Sequence, residues 1–297
     1  MDSDKDMAQV PQPALAEVVA EAAGRLRKVY PEGEARMMVR IIFEQLKGYT
    51  QTDMIMKATD PVSPFIQRKV GEAVDRLLRN EPIQYIFQSA RFYGLNLKVT
   101  PAVLIPRQET EELVDMIVRD ADGQTDLRVL DLCTGSGCIA VALGRNLVFP
   151  SVEGVDISEE ALEVARENAK NLKVNVRFEE ADVLNLPPQK LPTWDVIVSN
   201  PPYVLPDEKT SMPANVLDFE PARALFVPED NPLIFYKAIE RYALTALRPG
   251  RRIYFEINPL EATALRDYMI SAGWQNVELL PDDQKKLRFL RAQKPED

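Results

Sequence analysis

The sequence predicts a doubly wound, mainly parallel α/β sheet preceded by a small helical bundle and a hairpin connector. Three observations predict it. From residue 127 onward, short apolar runs alternate with segments of helical periodicity, as in successive strand–helix–strand units. Residues 12–80 carry apolar side chains at helical spacing, with no strand signal among them. Between these regions, residues 83–105 are aromatic or apolar at partly alternating positions. At about 150 residues per domain, 297 residues suggest two domains. The expected boundaries are a helical domain over 1–82, a connector over 83–105 and an α/β domain over 106–297.

In the helical region, Leu15, Val18, Val19, Ala22, Ala23 and Leu26 mark one helix. Met37, Met38, Ile41, Ile42 and Leu46 mark a second, which Gly48 is placed to stop. Thr50 with Asp53 reads as a capping box, and Ser63-Pro64 as a cap followed by proline at the first helical position. Val70, Val74, Leu77 and Leu78 share a face of the helix that follows. In the connector, Phe92, Tyr93, Leu95, Leu97 and Val99 surround Gly94 and Asn96, a hairpin pattern. A helix is expected from Glu109 to about Arg119. Strands are then expected over Leu127 to Leu132, Ser151 to Val155, Val174 to Phe178, Asp195 to Ser199 and Arg252 to Ile257, and near Val277 and Phe289. The intervening helices run from about Cys138 to Leu147, from the Ser158 cap onward, over Pro232 to Leu247 and over Leu260 to Ala272.

Composition excludes several chemistries. There is no histidine, which removes Ser-His-Asp triads, Cys-His dyads and imidazole metal sites. Cys133 and Cys138 are too few for a disulfide framework or a four-ligand zinc site, and read as small apolar side chains in a reducing compartment. The formal net charge of −10 argues against a dedicated nucleic-acid binder, since phosphate contacts need clustered Lys and Arg. No apolar run reaches the roughly 18 residues of a membrane span. The start, Met1 to Asp6, is acidic and resembles neither a secretory signal nor a transit peptide. A cytoplasmic protein is expected.

Four landmarks carry chemistry. Cys133, Thr134, Gly135, Ser136 and Gly137 lie between a strand and a helix, where glycines let a ligand approach the backbone. Asp156 closes the next strand, placed to accept both ribose hydroxyls of an adenosine-bearing cofactor or, more plainly, to cap the following helix. Asp182, after the third strand, is placed to accept an adenine amino group, with Val183 against the base. Asn200-Pro201-Pro202-Tyr203 follows the fourth strand. Its two prolines end that strand in a stiff turn. The Asn200 side-chain oxygen and Pro201 carbonyl can both accept N–H bonds, and the Tyr203 ring can stack on a planar group. Together they suit a planar, conjugated –NH2. An ordinary Asn-Pro turn is the plain alternative, and the order of the four landmarks along one alternating domain weighs against it.

In this order the landmarks resemble those of class I S-adenosylmethionine-dependent methyltransferases with a Rossmann-like sheet. The Asn-Pro-Pro-Tyr element is similar to that of enzymes acting on amino groups of adenine, cytosine or glutamine. Further segments narrow the resemblance: Glu81 to Ile86, Phe92-Tyr93-Gly94, Leu104 to Glu111, and Phe219 to Leu225. These resemble the peptide chain release factor N(5)-glutamine methyltransferases, over about residues 15–292. Gln108 stands where that family usually has proline, Cys133 where glycine is common, and Asn258 in place of a usual glycine. Glu229 to Leu233 also lacks the family's usual Asp-Gly.

The resemblance implies S-adenosyl-L-methionine as cofactor, leaving as S-adenosyl-L-homocysteine. It implies cofactor contacts at residues 133–137, Asp156, Asp182, Val183 and Asn200, and a substrate grip at Asn200, Pro201, Pro202 and Tyr203. The implied target is the glutamine of the Gly-Gly-Gln loop of class 1 peptide chain release factors, with the helical domain gripping that protein. No stable nucleic-acid binding, membrane association or metal is expected. The competing readings are a DNA or RNA amino-methyltransferase, a ribosomal-protein glutamine methyltransferase and a non-enzymatic adaptor.

Overall fold

The computed structural model describes residues 12–296, so the acidic start lies outside the described residues. The chain divides into two compact units, 1–87 and 88–297.

The first unit is helical: α1 (Leu15–Leu26), α2 (Glu32–Lys47), α3 (Gln51–Met56), α4 (Pro64–Leu77) and α5 (Ile83–Phe87). Its core gathers Leu15, Leu26, Ile42, Phe43, Val74 and Leu77 from α1, α2 and α4. The stop and start signals act as their chemistry requires. Gly48 takes a left-handed φ of 67° after α2. Thr50 and Asp53 close a reciprocal capping box on α3, and Ser63 caps α4 ahead of Pro64. The stretch 83–87, expected as extended connector, is one more helical turn. Pro82 enters it, and the Tyr85 and Ile86 N–H groups donate to the Pro82 carbonyl.

The second unit opens with a hairpin, β1 (Ala90–Phe92) and β2 (Leu95–Leu97). Tyr93 and Gly94 both have positive φ, at 47° and 74°, the two-residue turn whose twist matches the flanking strands. Then follow α6 (Gln108–Asp120), β3 (Arg128–Leu132), α7 (Cys138–Asn146), β4 (Ser151–Asp156), α8 (Glu159–Leu172), β5 (Val176–Glu180) and β6 (Trp194–Ser199). The chain continues through α9 (Ala214–Phe219), α10 (Ile234–Ala246), β7 (Leu247–Glu256), α11 (Ala262–Ser271), β8 (Gln275–Pro281) and β9 (Leu287–Gln293).

The seven-stranded sheet has the order β5-β4-β3-β6-β7-β9-β8. Five strands are parallel, and β9 runs antiparallel to both β7 and β8. Successive residues of the central strands face opposite sides. Leu130, Ile197, Ile253 and Phe255 join one core with α10 and α11. Val129, Val196, Val198 and Tyr254 join the other with α6 and α7. Strands buried on both faces read as continuous apolar runs, which is why β3 and β6 stand out in the sequence.

Two expectations shift. β5 starts at Val176 rather than Val174, because α8 ends with Lys173 in the left-handed region and the Val174 N–H returns to the Ala169 carbonyl. β7 begins at Leu247, where Trp194 pairs with it before a register shift, so the strand passes through Pro249 and Gly250. The segment after Tyr203, for which the sequence predicts no element, holds α9 and two short 3-10 turns, Pro206–Ser211 and Ala222–Ala224.

Candidate active site

Strand order reverses between β3 and β6, and ligands in such sheets bind beyond the carboxyl ends of the strands at that point. Leu132 pairs with Ser199 there, and the Ser199 hydroxyl donates to the Leu132 carbonyl at 2.6 Å. The next residues, Cys133 and Asn200, therefore leave the sheet side by side. Asp156 ends β4 opposite Glu180 of β5, and Asp182 follows two residues on. All four landmarks thus meet beyond the carboxyl ends of β3, β4, β5 and β6, around a cavity of about 360 Å3.

The cavity wall includes Cys133, Thr134, Gly135, Ser136, Asp156, Asp182, Val183, Asn200 and Pro202. Gly137, Pro201 and Tyr203 do not line it. Gly137 has a φ of 76°, and a Cβ there would stand 3.0 Å from the Ala165 Cβ, so it serves close helix packing. Pro201 is buried in the turn. The Tyr203 ring packs against the sheet core, and its hydroxyl donates to Glu256 at 3.1 Å.

The glycine turn is held from below. Asp131 is fully buried, and its Oδ2 accepts the Thr134 hydroxyl at 2.6 Å and the Ala140 N–H at 3.2 Å. Burial pushes its carboxyl up to about 7. Asp156 Oδ2 accepts the Gly135 N–H at 2.8 Å while Oδ1 accepts that of Ser158 at 3.0 Å. It therefore both caps the helix entry and presents its carboxylate to the cavity. Burial raises its pKa, and the backbone donors oppose that rise. Gly135, at φ 55°, would place a Cβ in open space, so a ligand can approach this stretch of backbone closely. Asp182 caps the turn Val183–Asn185 through the Leu184 N–H. Cys133 sits at φ 61°, a conformation costing a non-glycine residue about 1 kcal/mol, which explains why glycine suits this position. Burial drives its thiol well above the ordinary range and that of Cys138 up to about 12. Both thiols are therefore neutral, and both line the cavity.

The structure adds residues that sequence reasoning missed. Thr110 of α6 lines the cavity, accepts the Asn200 amide N–H at 3.2 Å and donates to Glu256 at 2.7 Å. Glu220 is buried, accepts the Ile105 N–H at 3.0 Å and pairs with Arg107. The Leu225 carbonyl accepts the Tyr203 and Val204 N–H groups, pinning the turn's exit. Asn168 of α8 bonds the Lys98 backbone and the Ser136 carbonyl. For Thr110, Glu220 and Leu225 the only sequence signal was their place in segments resembling a known family, and Asn168 had none.

Known proteins resemble this chain in sequence and in fold. The PrmC N-terminal domain family matches residues 17–87, and a methyltransferase domain family matches residues 124–256. A release factor glutamine methyltransferase of Bacteroides thetaiotaomicron is 42% identical over 267 residues, covering 90% of this chain and 95% of that one. The chain belongs to the release factor glutamine methyltransferase family. Another member, from Flavobacterium psychrophilum, is 36% identical over 261 residues, covering 86% and 91% of the two chains. The solved hMettl16 catalytic domain superposes with a TM-score of 0.52 at 19% identity, covering 69% of this chain and 77% of that one, a likeness of fold. The doubly wound sheet expected from the sequence is the one this chain forms, and its parallel strands lie within the stretch the methyltransferase domain family matches. Among the described residues no cluster of His, Cys, Asp or Glu could hold a metal ion, and no helix is long and apolar enough to cross a membrane.

Proposed function

We propose that the chain transfers a methyl group from S-adenosyl-L-methionine to the side-chain amide nitrogen of the glutamine in the Gly-Gly-Gln loop of class 1 peptide chain release factors. Family membership supports the reaction class. One observation carries the assignment of the site: Asn200 lines the cavity with its Nδ2 engaged by Thr110, and its Oδ1 has no partner among the described residues.

The residues present fit the cofactor. Asp156 offers a carboxylate at the end of β4 for the ribose hydroxyls. Asp182 and Val183 stand beside it for the adenine amino group and base face. Gly135 exposes backbone where a larger residue would project into the space. When bound, the cofactor supplies a methyl carbon already activated by a sulfonium leaving group, and it departs as S-adenosyl-L-homocysteine.

An amide nitrogen is a weak nucleophile because its lone pair is delocalised into the carbonyl. The task of the chain is therefore alignment and charge stabilisation. Asn200 Oδ1 and the Pro201 carbonyl accept the two N–H bonds and hold the nitrogen lone pair toward the methyl carbon. The same acceptors stabilise positive charge as the N–C bond forms and the C–S bond breaks. The nitrogen then loses one proton to water, and no strong base is needed. This agrees with a chain lacking histidine and holding both thiols neutral. Pro202 shapes the wall around the amide, and Tyr203 supports the turn from the sheet core.

The test is transfer from labelled cofactor to release factor, its loop Gln→Ala variant, ribosomal protein and DNA, side by side. Label on native release factor alone supports the assignment, and label on ribosomal protein or DNA instead overturns the target. Asn200→Ala is expected to abolish transfer while calorimetry still finds cofactor binding. Full activity in that variant would refute the amide grip.

A further inference from the structure

We infer that Glu256 and Thr110 fix which way round the Asn200 amide is held, making the buried carboxylate a positioning residue for the methyl-accepting nitrogen. The inference rests on the proposed role of Asn200 Oδ1 as an acceptor.

Glu256 ends β7 and is 1% exposed. Its two oxygens meet hydroxyls from two other elements: Thr110 of α6 at Oε2 and Tyr203 at Oε1. An ionised carboxylate can only accept, so both hydroxyl protons point toward it. Thr110 has a single hydroxyl proton, which it donates in its hydrogen bond to Glu256. What remains on Thr110 Oγ1 is lone-pair capacity, so the Asn200 group facing it must be the donor, Nδ2. Asn200 Oδ1 is thereby turned away from Thr110. With Glu256 ionised, the polarity follows from counting donors and acceptors along three linked groups.

The reversed arrangement has a clear chemical route. If Glu256 takes up a proton, its O–H can donate to Thr110, and Thr110 can then donate to Asn200. The amide would rotate, leaving –NH2 where the substrate also presents –NH2. One protonation is thus passed through two hydrogen bonds into loss of the acceptor. The groups facing Glu256 come from every side. Arg288 on β9, Thr110 on α6 and the Tyr203 hydroxyl favour the anion. Burial and Glu109 on α6 oppose it, and Tyr236 of α10 and Cys138 of α7 stand near as neutral groups. Burial is the largest influence and raises the carboxyl's pKa above its ordinary value. Activity that needs the ionised form is therefore lost as pH falls through that raised pKa.

The experiment compares Thr110→Val, Thr110→Ser, Glu256→Gln and Asn200→Ala by kcat, KM for release factor, cofactor affinity from calorimetry, and the pH profile of kcat. Thr110→Val preserves shape and removes the relay. It is expected to lower kcat about tenfold or more with cofactor affinity within about twofold, and to lose the acid limb seen in the parent. Thr110→Ser is expected to restore most of kcat together with the acid limb. Glu256→Gln, where it folds, is expected to lower kcat without an acid limb. If Thr110→Val keeps kcat within about twofold and retains the parent's acid limb, the inference is overturned. It is equally overturned if Thr110→Ser fails to restore what Thr110→Val loses. Asn200→Ala separates the two levels. Loss of transfer in it, with Thr110→Val unaffected, sinks the relay alone. Retained transfer in it sinks the amide grip and the relay together.

Discussion

Asn258 occupies a position where the related family usually has glycine, yet its side chain is 2% exposed and fully engaged. Its Nδ2 donates to the Tyr203 carbonyl at 3.0 Å and to Glu208 Oε2 at 2.8 Å, and its Oδ1 accepts the Leu260 N–H at 2.9 Å. Glu208 also accepts the Leu205 N–H at 2.8 Å. These bonds tie the exit of the Asn-Pro-Pro-Tyr turn to the end of β7. Asn258→Ala removes two neutral bonds, at about 1 kcal/mol each, and one to a charged acceptor, at about 1.5–3 kcal/mol. Glu208 is only half-buried, so water replaces part of the charged bond, and a total of about 2–4 kcal/mol is expected. The bond between Asn258 and Glu208 itself is isolated by a double-mutant cycle with Glu208→Ala, where a coupling of about 1–2 kcal/mol is expected. Both tryptophans, Trp194 and Trp274, lie in the core of the second unit, so urea unfolding followed by their fluorescence reports that unit. Equal m-values across the four proteins license the comparison. A coupling under about 0.4 kcal/mol, the scatter of independent sites, would show that the brace contributes nothing.

Three further outcomes are expected. Gly154→Ala would bring a Cβ to 2.7 Å from two atoms of the Phe178 ring and 2.9 Å from Thr134 Oγ1. The overpacking should cost about 1–3 kcal/mol and weaken cofactor binding in calorimetry through Thr134; parent-like stability and affinity would contradict it. Asp131 holds its proton more tightly when folded, with a pKa raised from 3.8 to about 7. The folded state then binds more protons between these values, so the stability linked to Asp131 falls as pH rises through that window. Asp131→Asn should therefore gain stability over the parent from about pH 4 to pH 7, by up to about 1.4 kcal/mol per unit; a difference flat with pH would refute this. The new amide also gives the unpartnered Oδ1 position a donor. Asn168→Ala strips partners from the Lys98 N–H and carbonyl and from the Ser136 carbonyl. It should cost about 2–4 kcal/mol and raise the cofactor dissociation constant, and unchanged cofactor binding would separate Asn168 from the glycine turn.

How legible the site was follows from how locally each part is determined. The glycine turn, Asp156, Asp182 and the Asn-Pro-Pro-Tyr turn each sit at the end of an apolar strand, and such strands announce themselves over five or six residues. Once the strands are placed, parallel pairing sets the rest: Leu132 opposite Ser199 forces Cys133 and Asn200 together. The family's preference for glycine at position 133 likewise has a local cause, the positive φ that Cys133 must adopt. Glu256 and Thr110 had no comparable signal. Their bond spans 146 residues, and Glu256 alone reads only as a charged residue closing a strand. The turns between Tyr203 and Asp218 were equally silent. Their N–H groups go to carbonyls brought near by folding, to one another's carbonyls and to the Glu208 carboxylate, not to a repeating pattern. The legible residues are therefore those that would touch cofactor or substrate at a strand end. The illegible ones orient them, and only tertiary packing brings them within hydrogen-bonding distance. An acceptor such as Asn200 Oδ1 is useful only if it points the right way. In this protein that direction is set by a carboxylate that never reaches the cavity wall.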